Sequence, residues 1–243
     1  VKVVCIIQAR TGSSRLPGKV LKQICGKSVL EHDIDRLKNV KNINEIVIAT
    51  TSKKQDDPIV EEANRLGIKY FRGSEDDVLS RYYFAAKEND ADIVVRVTSD
   101  CPLIDHCVTE NIIQFFIDRA DEYDYVSNTI DRTFPRGLDT EVFSYKALEK
   151  SFLNAQNSRE REHVTPYIWG NPSEFKIFQY KNDKSYSDYR WTLDTQEDYE
   201  LITFIYERLY EINPDFNMND ILCLYEKYSE LQYFNSHIQQ KQF

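Results

Sequence analysis

Arg10, Arg15 and Lys19 place three positive charges in one short segment, Ile7-Gln8-Ala9-Arg10-Thr11-Gly12-Ser13-Ser14-Arg15-Leu16-Pro17-Gly18-Lys19. It follows the apolar run Val3–Ile7 directly. Glycine at positions 12 and 18 lets backbone approach an anion closely, and successive N–H groups in such a loop form an anion-binding concavity. Ala9, Gly12 and Ser13 are expected to line that concavity beside the three cations. The combination suits the phosphates of a nucleoside triphosphate. Two familiar phosphate loops do not fit. Walker A requires four residues between its glycines and then Lys-Ser/Thr; here five intervene and Val20 follows Lys19. The dinucleotide pattern G-x-G-x-x-G is absent.

The elements around this segment must hold it at the end of a strand. Val3–Ile7, Glu45–Thr50 and Asp92–Thr98 are near-continuous apolar runs rich in Val and Ile, the mark of strands buried on both faces of a parallel sheet. Lys69–Phe71 reads as a short further strand. Amphipathic stretches at Ser28–Val40, Asp57–Leu66 and Glu75–Asn89 lie between them, and Gly67 stands at a helix stop. This rhythm predicts right-handed βαβ crossovers. In such sheets ligands bind beyond the carboxyl ends of the strands. Past residue 120 the pattern changes. Tyr123–Asn128, Thr140–Tyr145, Phe175–Lys181 and Tyr189–Leu193 read as strands of a mixed extension. Ser158–Trp169, Glu197–Tyr210 and Asn219–Tyr228 read as helices, with Gly170 as a stop. The tail Ser236–Phe243 is expected to fray. No Pro/Gly/Ser-rich linker divides the chain, so residues 1–243 are expected to form a single domain.

Composition limits the partners. The chain has 243 residues and a net charge of −9, from 40 acidic and 31 basic side chains, which disfavours nucleic acid. Residues 1–30 nonetheless hold six bases (Lys2, Arg10, Arg15, Lys19, Lys22, Lys27) and no acid. A basic pocket in an acidic protein points to a small polyanion. No apolar run approaches the roughly 20 residues that span a bilayer, so no membrane partner is expected. Five cysteines without a C-x-x-C motif read as free thiols of a reducing cytoplasm. A metal trio of Cys101, His106 and Cys107 matches no zinc spacing.

The loop 7–19 resembles the signature of the nucleotidyltransferases that activate acid sugars with CTP, the 3-deoxy-manno-octulosonate and acylneuraminate cytidylyltransferases. It is most similar to the branch typified by spore coat polysaccharide biosynthesis protein F. Further matches follow in order along nearly the whole chain. Val97-Thr98-Ser99-Asp100-Cys101-Pro102-Leu103-Ile104 resembles the family's Gly-Asp-x-Pro-Leu segment, with Ser99 where Gly is frequent and Cys101 where the octulosonate enzymes often have Glu. Trp191-Thr192-Leu193-Asp194-Thr195-Gln196-Glu197-Asp198 resembles its Asp-Thr-x-Glu-Asp segment. The resemblance implies that Asp100 and Asp194 hold Mg2+. A carboxylate at a strand end suits that task; capping a following helix is the alternative role for either acid. Phe71–Tyr82 resembles the stretch near the cytosine ring, which nominates Ser74, Asp77 and Arg81, with Thr98 close by. Arg136-Gly137-Leu138-Asp139-Thr140-Glu141 and Glu162-His163-Val164-Thr165-Pro166-Tyr167 resemble acceptor-side segments, which nominates Arg136, Asp139, Glu141 and His163. Arg136 could clamp an acceptor anion or simply pair with Asp139 and Glu141.

The resemblance implies a Rossmann-like, three-layer α/β fold of the GT-A type with a mixed, mainly parallel sheet. Within it, residues 1–120 would bind CTP. Residues 121–190 would bind the acceptor and mediate oligomerisation, giving a homodimer. Residues 191–243 would bring the second metal acid and the last helices. The implied reaction is Mg2+-dependent transfer of CMP from CTP to an anionic sugar, with pyrophosphate released, for surface polysaccharide or glycoconjugate synthesis. A GT-A glycosyltransferase shares the sheet, but its Asp-x-Asp motif has no counterpart where Asp100-Cys101-Pro102 stands. A non-catalytic nucleotide-binding protein is the alternative from another class.

Overall fold

In the computed structural model, which describes residues 1–239, alternation along the first strand sets the layers. In β1 (Val3–Gln8), Val3, Cys5 and Ile7 face one apolar core while Val4 and Ile6 face a second, the two-residue period of a strand buried on both sides. A small hairpin, β2 (Gln23–Ile24) and β3 (Lys27–Ser28), leads into α1 (Val29–Lys38), whose N-cap Ser28 accepts the Glu31 N–H. Then come β4 (Glu45–Thr51), α2 (Asp57–Leu66), β5 (Lys69–Gly73), α3 (Val78–Glu88), β6 (Ile93–Thr98), α4 (His106–Asp118), β7 (Tyr125–Ser127), β8 (Glu141–Ser144) and α5 (Tyr145–Asn154). The chain continues through α6 (Ser158–His163), α7 (Pro166–Gly170), β9 (Ile177–Gln179), α8 (Gln196–Leu209) and α9 (Met218–Lys227).

Among the described residues the main sheet has seven strands in the order β5-β4-β1-β6-β8-β7-β9. The first four run parallel, and β8 is antiparallel to both β6 and β7. One core packs the sheet against α1, α2, α4, α8 and α9; the other packs it against α3, α5 and α7. This is the expected three-layer, mixed and mainly parallel α/β fold. Residues 121–190 extend the same sheet, and Val126 and Val142 join the same core as Val3 and Ile7.

Four local expectations are corrected. The helix expected from Glu75 starts at Val78, because Asp77 accepts the Ser80 N–H as its cap. The helix expected over Ser158–Trp169 is two helices. Val164 breaks it with φ 72°, and Pro166, which has no N–H and disfavours helix in the residue before it, opens the second. Tyr189–Leu193 is extended but joins no strand ladder; it makes a single bridge, Arg190 to Arg136. The helix expected after Asp100 is α4, capped by Asp105 and not by Asp100, and α5 was not foreseen. In α5 the strand passes into the helix with no loop, since Ser144 ends β8 and caps α5 by accepting the Ala147 N–H. Of the tail, residues 240–243 lie outside the described residues, whereas Asn235 is anchored by donating to Asp198 Oδ1 and to the Arg190 carbonyl.

Candidate active site

Neighbouring parallel strands β1 and β6 send the chain to opposite sides: β1 is flanked by β4 and by β6. A crevice opens at such a switch point. Here it is a cleft of about 770 Å³ lined by the loop after β1, by Thr98 to Cys101 after β6, and by Arg136, Asp139, Glu141, His163 and Asp194. Ala9, Arg10, Gly12, Ser13, Arg15, Lys19 and Arg81 are all on its wall. The sequence-nominated residues Ser74 and Asp77 are not.

The loop is braced from below. Thr11 donates its N–H and its hydroxyl to Asp56 Oδ1, each at 2.7 Å, and Thr51 donates to Asp56 Oδ2. Asp56 is fully buried, and no motif pointed to it. The Ser13 and Gly18 N–H groups bond to the Thr11 carbonyl. Among the described residues this leaves the N–H groups of Gly12, Ser14 and Arg15 without a backbone acceptor, and all three residues line the cleft.

The two acids come together around a cation. Leu193 N–H donates to the Asp100 carbonyl at 2.8 Å, which ties the segment carrying Asp194 to the end of β6. Lys19 Nζ then lies 2.8 Å from Asp100 Oδ2, 2.8 Å from Asp194 Oδ1 and 2.8 Å from the Leu193 carbonyl oxygen. Burial works against the Lys19 charge, yet Asp100 and Asp194 outweigh it and hold the pKa above the ordinary lysine value. Burial also opposes ionisation of Asp100, and Lys19 with the Thr98 hydroxyl more than offsets it, so its pKa is lowered. Arg15 reaches Asp194 Oδ2 at 3.0 Å. Arg190 binds the same oxygen at 2.8 Å and also Asp198, which caps α8 through the Asp194 and Thr195 N–H groups. Arg190 and Asp198 are residues that sequence reasoning missed; their four-residue steps from Asp194 were the available signal. Two carboxylates and a carbonyl converging on one cation form a hard-oxygen donor set of the kind Mg2+ prefers. The cation at that position in this structure is the Lys19 ammonium.

The nominated base-side residues divide. Asp77 caps α3 and pairs with Arg161, and the Ser74 hydroxyl accepts the Asp77 N–H. Arg81 lies on the cleft wall, donates Nη1 to the Ser74 carbonyl at 2.9 Å, and burial lowers its pKa. Thr98 donates to Asp100 Oδ1 at 2.6 Å. Burial pushes the neighbouring Cys101 thiol up, so it stays protonated.

On the acceptor side the competing ion pairs go elsewhere. Arg132, not Arg136, grips Asp139 with both Nη atoms, at 2.5 and 2.8 Å. Glu141 is buried, pairs with Arg96, and accepts from Tyr125 Oη at 2.5 Å and Thr165 Oγ1 at 2.6 Å. The Arg136 guanidinium therefore has no ion-pair partner among the described residues, and burial together with Arg132 depresses its pKa. His163 ends α6 at the cleft, with its pKa lowered chiefly by burial. Arg96, Arg159 and Trp169 also line the cleft and were not foreseen. Arg96 had a legible signal, a lone cation inside the apolar strand Ile93–Thr98.

Comparison with known proteins decides the family. The model of the family described as Cytidylyltransferase matches residues 4–242. The chain belongs to the cytidylyltransferase family. This cytidylyltransferase is 32% identical to spore coat polysaccharide biosynthesis protein SpsF of Bacillus subtilis, over 91% of this chain and 93% of that protein. It is 40% identical to an uncharacterized protein of Methanocaldococcus jannaschii, over 100% of this chain and 98% of that one. Among solved structures, a cytidylyltransferase from Leptospira borgpetersenii superposes with a TM-score of 0.91 at 36% identity, covering 100% and 99% of the two chains.

Elsewhere on this cytidylyltransferase, the trio Cys101, His106 and Cys107 does not assemble. Cys101 Sγ turns to Asp100 and Thr98, and the donor atoms that do converge belong to Asp105, His106 and Cys107. The Asp105 carboxylate is already committed, accepting from the Cys107, Val108 and Met218 N–H groups. Among the described residues no helix is long and apolar enough to cross a membrane.

Proposed function

We propose that this cytidylyltransferase transfers CMP from CTP to an anionic, sugar-type acceptor in an Mg2+-dependent reaction. The observation that carries the reading is the convergence of Asp100 and Asp194 on one cation position beside the loop of Arg10, Arg15 and Lys19. The acceptor hydroxyl gives up its proton to solvent as its oxygen attacks the α-phosphorus, the bond to the bridging oxygen breaks, and pyrophosphate leaves with that electron pair. Arg10, Arg15, Lys19 and the loop N–H groups align the triphosphate and match the charge that grows on the leaving group. When bound, Mg2+ would be held by Asp100 and Asp194 and would polarise the α-phosphate and lower the acceptor hydroxyl's pKa. Arg136 holds the acceptor's acid group and thereby aims its oxygen. The acid-sugar class is supported by Arg136, which has no ion-pair partner among the described residues, and by the name of the Bacillus relative, which ties that protein to a polysaccharide. Residues 121–190 supply the acceptor wall of the cleft, and the proposed homodimer forms through the same stretch.

The test is pyrophosphate release from CTP across a panel of acid sugars, with and without Mg2+. Asp100→Asn and Asp194→Asn are each expected to reduce kcat at least about a hundredfold while leaving the fold intact. Near-normal Mg2+-dependent turnover in either variant would remove the acids from this role.

A further inference from the structure

Lys19 occupies the seat that the proposed metal would need. An ammonium has three N–H donors, and in Lys19 all three are engaged, by Asp100 Oδ2, Asp194 Oδ1 and the Leu193 carbonyl, each at 2.8 Å. In this arrangement the side chain offers no N–H to a phosphate. It serves either the carboxylates or the triphosphate with its full donor set, and not both. Arg15 closes the next side through Asp194 Oδ2, where Arg190 also binds. The two carboxylates are thus already matched by cations belonging to the phosphate loop.

We infer that Lys19 is a resident counter-ion that blocks the divalent-metal seat until a nucleoside triphosphate arrives. The inference rests on the reading that Asp100 and Asp194 hold Mg2+. A bare divalent ion entering the cleft meets the Lys19 and Arg15 charges at short range in a partly dry environment, where like charges repel strongly. A triphosphate supplies the negative charge that draws both side chains off Asp194 and frees its Oδ1, while Arg190 keeps its hold on Oδ2. The Lys19 stem is flexible and unbranched, so Nζ moves from carboxylate to phosphate while the loop backbone keeps its bonds to Asp56. Metal and nucleotide binding become one coupled event, and the free enzyme rejects metal without substrate.

Mn2+ alone is the probe, followed by electron paramagnetic resonance and calorimetry, first without nucleotide and then with CTP and no acceptor. Lys19→Met is expected to bind Mn2+ without nucleotide at least about tenfold more tightly than wild type, within the 5–150-fold range common for coupled sites. The gain should vanish in Lys19→Met/Asp194→Asn. Lys19→Gln is expected to behave like Lys19→Met and keeps the test available where the methionine variant fails to fold. Wild type that binds Mn2+ alone as tightly as it does with CTP overturns the inference, as does equal nucleotide-free affinity in wild type and a folded Lys19 variant. Mn2+ binding in the presence of CTP that ignores Asp194→Asn overturns the metal reading itself, and the inference with it.

Discussion

Gly137 packs against the backbone of Trp191 so closely that a β-carbon on it would lie 2.6 Å from both the Trp191 carbonyl carbon and its oxygen, and its φ is 107°. What this glycine admits is the segment leading to Asp194. Arg136 and Trp191 complete the contact through two backbone hydrogen bonds, Arg136 N–H to the Tyr189 carbonyl at 3.0 Å and Trp191 N–H to the Arg136 carbonyl at 2.7 Å.

Gly137→Ala is therefore expected to act at a distance from its own position. A backbone clash at a φ that L-residues rarely adopt should destabilise the fold by about 2–3 kcal/mol, or roughly 5–10 °C in Tm for a chain of this size. Displacement of the Trp191 segment should also lower kcat by shifting Asp194. Differential scanning calorimetry and steady-state kinetics on the same preparation check both effects; a variant with wild-type Tm and kcat would show that the segment yields freely.

Arg136→Ala separates acceptor binding from nucleotide binding. Arg132 and Arg96 already hold Asp139 and Glu141, so loss of Arg136 breaks no ion pair in the free protein. A charge-assisted contact of about 1.5–3 kcal/mol corresponds to roughly a ten- to hundredfold rise in acceptor KM. The KM for CTP should change much less, and preference for an acid acceptor over its neutral amide should fall. Equal changes in both KM values would return Arg136 to a structural role.

Glu141 should prove a keystone of the fold and not a sugar ligand. It is buried, and Arg96, Tyr125 and Thr165 occupy its oxygens. Removing one partner of a buried ion pair leaves the other charge uncompensated, so Glu141→Ala is expected to destabilise by about 3–5 kcal/mol. Urea unfolding measures this. A stable Glu141→Ala protein with a selectively raised acceptor KM would contradict the expectation.

Asp33 gives stability a pH dependence. It is fully buried on α1, neither carboxylate oxygen has a hydrogen-bond partner among the described residues, and burial, with Asp100 adding, raises its pKa well above the ordinary carboxylate value. The folded state then holds a proton that the unfolded chain releases near the ordinary aspartate pKa of about 3.9. Stability contributed by that proton is complete below the unfolded pKa and falls as pH rises toward the folded one, with a limiting slope of about 1.4 kcal/mol per pH unit. Asp33→Asn removes this dependence. Urea unfolding at pH 5, 6, 7 and 8 should show the variant gaining on wild type as pH increases. A constant difference across that range would mean that Asp33 ionises normally in the folded protein.

The local pattern of the chain determined the layers, the strand ends and the loop that carries Arg10, Arg15 and Lys19. Runs such as Val3–Ile7 and Asp92–Thr98 encode burial on both faces, which needs only side-chain polarity and the two-residue period of a strand. Asp100 and Asp194 were nominated because each stands in a segment that resembles one of the family's. Pairing was not legible. Nothing in the order of residues says that Arg132 rather than Arg136 takes Asp139, that Arg96 takes Glu141, that Asp56 braces Thr11, or that Lys19 lies between the two acids. Any of these arginines or acids is chemically able to bind any other, and the choice depends on separations of a few ångströms set by the packing of distant segments. The close approach of Gly137 to Trp191 has the same origin, because it is a contact between segments distant in the chain.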